Sequence, residues 1–111
     1  MTAADRLNEI EARTNAATRG PWSHYGSWPF EVIGDALDPD GGTQVLITGI
    51  ASHEEDSEFA ANARTDIPAL TAALRSVLRI HWSRGPYCNE CGGQAPCSTV
   101  RGIATALGVT R

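Results

Sequence analysis

The residues able to do chemistry in this 111-residue chain gather near its C-terminus, in Cys88-Asn89-Glu90-Cys91-Gly92-Gly93 and in Cys97 shortly after. Two residues between thiolates let both sulfurs face one ion, and the glycines permit the tight turn that aims backbone N–H groups at sulfur. Cys97 falls at the start of an expected helix, where the positive end of the dipole lowers a thiol pKa and favours a bound anion. Structural zinc takes four ligands in a tetrahedron, and three cysteines with one histidine is a common set. His81 is the expected fourth ligand, at the end of a long helix and on its buried side. The Gly85-Pro86 bend turns it back over the knuckle. The other groups that could complete the ion are water, His24, His53 or a residue of another chain. The expected metal set is therefore His81, Cys88, Cys91 and Cys97, with zinc as a structural cofactor.

A knuckle followed by a helix N-terminus resembles the arrangement in treble-clef zinc sites. Two other chemistries use similar residues. A redox Cys-x-x-Cys sits at a helix N-terminus after a strand, whereas Gly92-Gly93 follows this pair. A zinc deaminase needs His-x-Glu and then Pro-Cys-x-x-Cys. Here His53-Glu54-Glu55 and Pro86-Tyr87-Cys88-Asn89-Glu90-Cys91 approach that pattern, but the proline is displaced by one residue and Cys97 is left without a role. A closed site of this kind contributes on the order of 10 kcal/mol to folding, so zinc here is read as a staple rather than a catalyst. No nucleophile–base pair, glycine-rich phosphate loop or open metal site stands out, and no catalytic residue is assigned.

The elements that must position these groups can be read from periodicity and punctuation. Residues 2–17 form a first helix, with Thr2 as cap and Asp5 three residues on in a capping box. Leu7, Ile10, Thr14 and Ala17 make its stripe. Gly20 in the left-handed C′ position and Pro21 end it. Residues 22–25, 30–33 and 43–50 read as short strands, the last two paired as an antiparallel hairpin across Asp38-Pro39-Asp40-Gly41-Gly42. Trp22, Trp28 and Phe30 are expected to cover this small sheet. His53 to Ala63 suggests a short helix with acids in its first turn, which suits the dipole. Thr65 caps the next helix, over residues 66–82, with Pro68 harmless in its first turn. Ile67, Leu70, Leu74, Val77 and Leu78 give its apolar stripe, and His81 continues it. Val100, Ile103, Ala104 and Leu107 form a last short helix closed by Gly108. The fold class is thus α+β: an N-terminal helix, a small antiparallel sheet, a long helix, then a zinc knuckle and short helix. The length suits one domain, with residues 85–111 as its zinc-stapled subregion.

Composition narrows the function classes. Hydrophobic content of 41% and charged content of 20% are those of a globular protein, but there are only two Phe, so a staple would help. No stretch reaches the ~18 apolar residues of a membrane span. The N-terminus lacks a signal-peptide apolar region, and three cysteines do not close a disulfide framework; the expected location is the cytoplasm. The net charge of −4 hides an asymmetry, because acids dominate residues 1–63 and arginines dominate residues 64–111. A sequence pI near 5.2 is a poor footprint for duplex DNA. Arg75, Arg79, Arg84 and Arg101 could face phosphate or an acidic protein, though Arg75 and Arg79, four apart, suit a solvated helix face.

Two segments carry a family resemblance. Ile10-Glu11-Ala12-Arg13-Thr14-Asn15-Ala16-Ala17-Thr18-Arg19-Gly20-Pro21-Trp22 resembles the opening of Ead-like phage accessory proteins, with Arg19 where that family often has Pro. Asp56-Ser57-Glu58-Phe59-Ala60-Ala61-Asn62-Ala63-Arg64-Thr65-Asp66-Ile67-Pro68-Ala69-Leu70 resembles the same family's downstream helix pair. The tail through Pro96-Cys97-Ser98-Thr99-Val100-Arg101 looks like the cysteine-bearing ends of small proteins from phages of high-GC actinobacteria, and the absence of Lys agrees. The resemblance covers about half of the chain. It implies a virus-encoded accessory protein acting in the host bacterial cytoplasm, and assigns no catalytic residue. The expected role is non-enzymatic binding of a host or phage protein. Sequestration of a small nucleotide signal, through the aromatics around Trp22 to Phe30, is the first alternative. Single-stranded nucleic acid bound by the knuckle and arginines is the second.

Overall fold

The computed structural model describes residues 1–24, 26, 28, 30–37, 43–47 and 53–110. Its elements run α1 (Ala3–Ala16), β1 (Trp22–His24), β2 (Val32–Leu37), β3 (Thr43–Ile47), α2 (Glu54–Ile80), β4 (Ser83–Arg84), β5 (Tyr87–Cys88) and α3 (Ser98–Ala106). The α+β architecture is the expected one. The chain packs as two compact units, one of Met1–Arg13 with Leu70–Arg111, the other of Thr14–Ala69.

In the first unit, α1 begins as its residues dictate. The Thr2 amide donates to Asp5 Oδ2 at 2.9 Å and the Asp5 amide donates to Thr2 Oγ1 at 3.1 Å. This reciprocal box satisfies helix-start donors that have no partner inside the helix. Ala3 and Leu7 turn inward and are buried. Arg75 holds α1 to α2 by donating to Asn8 Oδ1 at 2.7 Å and to the Glu11 carboxylate. Arg75 therefore belongs to a helix–helix contact and not to a solvated face. At the other end of the unit, α3 closes on Gly108, whose φ of 75° only glycine adopts without steric cost. Gly108 N–H donates to Thr105 O and Val109 N–H to Ala104 O, the paired bonds of a Schellman stop.

In the second unit, β1, β2 and β3 form an antiparallel sheet in sequence order. Trp22 pairs with Gly34 and His24 with Val32, while Val32 pairs with Ile47 across the next ladder. Val32 is fully buried and is the centre of this small core, with Ala61 and Ser57 from α2 also buried. Ser57 is satisfied by donating to Glu54 O at 2.8 Å. Trp22 and Phe30 are half-buried, but Trp28 is 77% exposed and does not serve as cover. β2 starts at Val32 rather than Phe30, whose φ of 55° takes it out of extended geometry. The turn expected at residues 38–42, Tyr25, and the far end of the third strand at residues 48–50 lie outside the described residues.

Two local expectations are corrected. Gly20 does not adopt a left-handed conformation. It is glycine because Arg64 crosses it, so that a Cβ there would stand 2.9 Å from Arg64 Cγ; Arg64 Nε then donates to Thr18 O. The two helices expected on either side of Thr65 are one helix of 27 residues, with Pro68 inside it. Proline in an interior turn costs about 3 kcal/mol. Ala60, Ala61, Ala63, Ala69, Ala72 and Ala73 are the best helix formers and carry the ladder past it. Among the described residues, no helix is long and apolar enough to cross a membrane.

The capping box generates a pH prediction. The Thr2 amide, and then its hydroxyl, hold the Asp5 carboxyl below the ordinary aspartate value. A depressed folded pKa stabilises the helix above the unfolded value of about 3.9. That contribution disappears as pH falls through the lower folded pKa. NMR titration should find Asp5 titrating below free aspartate, and Thr2→Ala, which keeps the amide and loses the hydroxyl, should move it only part of the way back up while costing about 1 kcal/mol in chemical denaturation.

Candidate metal centre

Three local structures deliver four side chains to one point. His81 extends the end of α2, its amide donating to Val77 O at 3.2 Å as the helical ladder runs out. The chain then reverses through β4 and β5, where Ser83 pairs with Cys88 and Arg84 with Tyr87. Gly85-Pro86 forms the two-residue turn, and the φ of 61° at Gly85 is what a II′ hairpin turn demands of its first central residue. The hairpin carries the knuckle back alongside the helix end, and Asn89 N–H donates to Trp82 O at 2.9 Å.

The knuckle is a closed turn. Gly92 N–H donates to Cys88 O at 2.9 Å, and Cys88 N–H donates to Gly93 O at 2.7 Å. Gly92 has φ 74°, a conformation that an L side chain resists. The Cys91 amide donates to Cys88 Sγ at 3.5 Å, the N–H-to-sulfur contact that the Cys-x-x-Cys-Gly spacing implies. The chain then returns beside β5, with Tyr87 bridged to Gln94 and Ala95 N–H on Pro86 O. It delivers Cys97 as the N-cap of α3, in an extended conformation with no side-chain capping bond, so its sulfur is free to ligate.

The four ligand atoms of His81, Cys88, Cys91 and Cys97 all lie within 4.8 Å of one another. His81 Nδ1 is 3.5 Å from Cys88 Sγ, 3.3 Å from Cys91 Sγ and 3.6 Å from Cys97 Sγ. A single ring N–H points along one direction and can serve one acceptor well. Three near-equal separations instead place the nitrogen at one corner of a tetrahedron whose other corners are sulfur. The cysteines are free, not paired in a disulfide.

The electrostatics of the cluster suit a cation. The Val100 amide, the neighbouring thiols and the Thr99 amide lower Cys97 to about 6, against the desolvation that opposes them. Desolvation first, and then Cys97 and Cys88, push Cys91 up to about 11. Three crowded thiols therefore titrate as a set, and the protein alone does not stabilise all three as thiolates. A multivalent cation at their centre does. These residues could hold a metal ion with every position filled by protein.

All four residues singled out in the sequence are brought together. His24 lies 3.8 Å from the Glu54 carboxylate, and the described cluster takes its imidazole from His81. The deaminase pattern would have left Cys97 outside, whereas its sulfur stands inside. The redox pattern needed a helix after Cys91, where a turn follows. The β4–β5 hairpin went unread because its strands are two residues each, and Gly85-Pro86 was the one signal that could have revealed it.

Comparison of the chain with family models, with curated proteins and with solved structures finds no match.

Proposed function

We propose that His81, Cys88, Cys91 and Cys97 bind one structural zinc ion, in a non-enzymatic phage accessory protein that binds a host or phage component in the bacterial cytoplasm. The observation that carries the zinc reading is the set of three Sγ–Nδ1 separations, 3.3 to 3.6 Å. Zinc bonds of ~2.3 Å to sulfur and ~2.0–2.1 Å to nitrogen, at the tetrahedral angle, set this separation at about 3.5 Å. Soft thiolates with imidazole select zinc over hard cations such as magnesium or calcium. Four protein ligands leave no open position for a substrate, which favours a staple over a catalyst.

Metal analysis tests this directly. The purified chain should carry close to one zinc per molecule, and His81→Ala should weaken binding severely. Removal of zinc by a chelator should unfold the 81–107 region, read as loss of amide protection there, because the binding energy is folding energy. A metal-free native protein, or full zinc retention in the variant, defeats the assignment.

The accessory role is supported by the two segments, residues 10–22 and 56–70, that resemble Ead-like proteins and by the absence of Lys. Its test is retention of one host or phage component, at constant stoichiometry, by the tagged chain during infection. Retention that persists equally with an unfolded Cys97→Ser chain would dismiss the interaction as nonspecific.

A second reading rests on Trp28, 77% exposed: an aromatic face free to stack on the base of a nucleotide signal. A panel of cyclic nucleotides should then raise the melting temperature of wild type and not of Trp28→Ala. No shift across the panel removes this reading.

A further inference from the structure

The four ligands differ in how far solvent reaches them. Cys88 is 2% and Cys97 4% exposed, His81 is half-buried, and Cys91 is the exposed member of the set. A cleft of about 450 Å³ opens beside it, bounded by Cys91, Gln94, Pro96, Cys97, Ser98 and Arg101. A small polar oxidant entering that cleft meets the exposed cysteine of the set in a cleft that Arg101 also lines.

The three sulfurs also differ in what a new bond would disturb. Cys88 and Cys91 stand within one closed turn, already joined by the Cys91 amide on Cys88 Sγ and by the flanking backbone bonds to Gly92 and Gly93. Cys97 is anchored differently, as the N-cap of α3 with Arg101 N–H on its carbonyl at 2.9 Å. A bridge to Cys97 would join the knuckle to the start of a helix. A bridge between Cys88 and Cys91 stays inside the turn.

From this geometry we infer that Cys91 is a site of oxidative modification by hydroperoxides, with Cys88 as its resolving partner, so that formation of a Cys88–Cys91 disulfide expels the metal. The inference rests on the zinc reading above. With a zinc ion bound, Cys91 would be held as a thiolate, the form that reacts with peroxide. The Cys91 sulfur attacks one peroxide oxygen, the O–O bond breaks, and Cys91 becomes a sulfenic acid as hydroxide leaves. Cys88 thiolate then attacks the Cys91 sulfur, forming the S–S bond and releasing a second hydroxide. Two thiolates have lost two electrons and one hydrogen peroxide has become two hydroxides. Only Cys97 and His81 would then remain to hold a zinc ion, and the link between the end of α2 and the start of α3 would open.

The test uses the intact chain with its zinc content measured first. Hydrogen peroxide is added and zinc release is followed with a chromogenic chelator, while thiols are mapped by alkylation and peptide mass spectrometry. The expected result is one zinc released per Cys88–Cys91 disulfide, with Cys97 still alkylatable and the centre restored by dithiol and zinc. Arg101→Ala should retain zinc fully and release it more slowly under peroxide. Zinc retained with all three sulfurs unmodified overturns the inference, as does first modification at Cys97 or a bridge involving it. A chain that holds no zinc before oxidation would instead defeat the zinc assignment, and the thiol map would then report on Cys91 and Cys88 alone.

Discussion

Three sulfurs and one ring nitrogen converging within 4.8 Å is the constraint on which the C-terminal half of this chain depends. Left to themselves, these groups oppose one another. Deprotonating one thiol makes the next harder to deprotonate, as the rise of Cys91 to about 11 expresses, and a neutral set cannot share one imidazole proton three ways. A cation at the centre adds an attraction to each thiolate that outweighs the repulsion among them. The ligands that repel across the tetrahedron's edges become the partners of a single charge at its centre, and crowding turns into coordination.

The backbone reaches this arrangement by local devices, each cheap on its own. A helix runs out at His81, a hairpin with a glycine in its first central position reverses the chain, and a knuckle with a second left-handed glycine turns it again. A helix start then presents Cys97 with its sulfur uncapped. None of these devices buries much apolar surface. In the unit that holds the cluster, the buried residues are Ala3, Leu7, Thr71, Cys88, Cys97 and Ala104. Two of the six belong to the cluster, and Leu7 is the largest apolar side chain among them. Burying one such leucine is worth about 2–3 kcal/mol, whereas a structural zinc site contributes on the order of 10 kcal/mol. On the zinc reading, coordination and a small core thus divide the work unequally, with the larger share on the ion.

How much of this was legible in the sequence follows from what each signal encodes. The cysteine spacing, the helix start at Cys97 and the place of His81 at a helix end are local and additive, so the four-residue cluster could be read, although Ile67 and Leu70 of the expected apolar stripe are exposed. The Thr2–Asp5 box was equally local and is present as expected. The extent of α2 was not legible, because Thr65 and Pro68 each carry a helix-start signal that the surrounding alanines override only when the whole window is summed. Gly20 misled for a different reason. A glycine after a helix suggests a left-handed cap, but the close passage of Arg64, forty-four residues away in sequence, leaves no punctuation in the chain. Trp28 failed as cover because a large aromatic near Gly and Pro says only that it is large and apolar, not that something packs against it.

The closed centre also bears on where binding must occur. On the zinc reading, four protein ligands saturate a tetrahedral ion, so no free valence remains to polarise a substrate or to generate a metal hydroxide. Any partner of this chain is then met by side chains outside the ligand set. The metal's part is to keep the β4–β5 hairpin, the knuckle and α3 in one conformation, so that a surface built from short elements exists as a surface at all. Binding by such a protein and the presence of its metal are linked through folding, without the ion touching the partner. Loss of the ion removes the shape while every contacting side chain is still in the sequence.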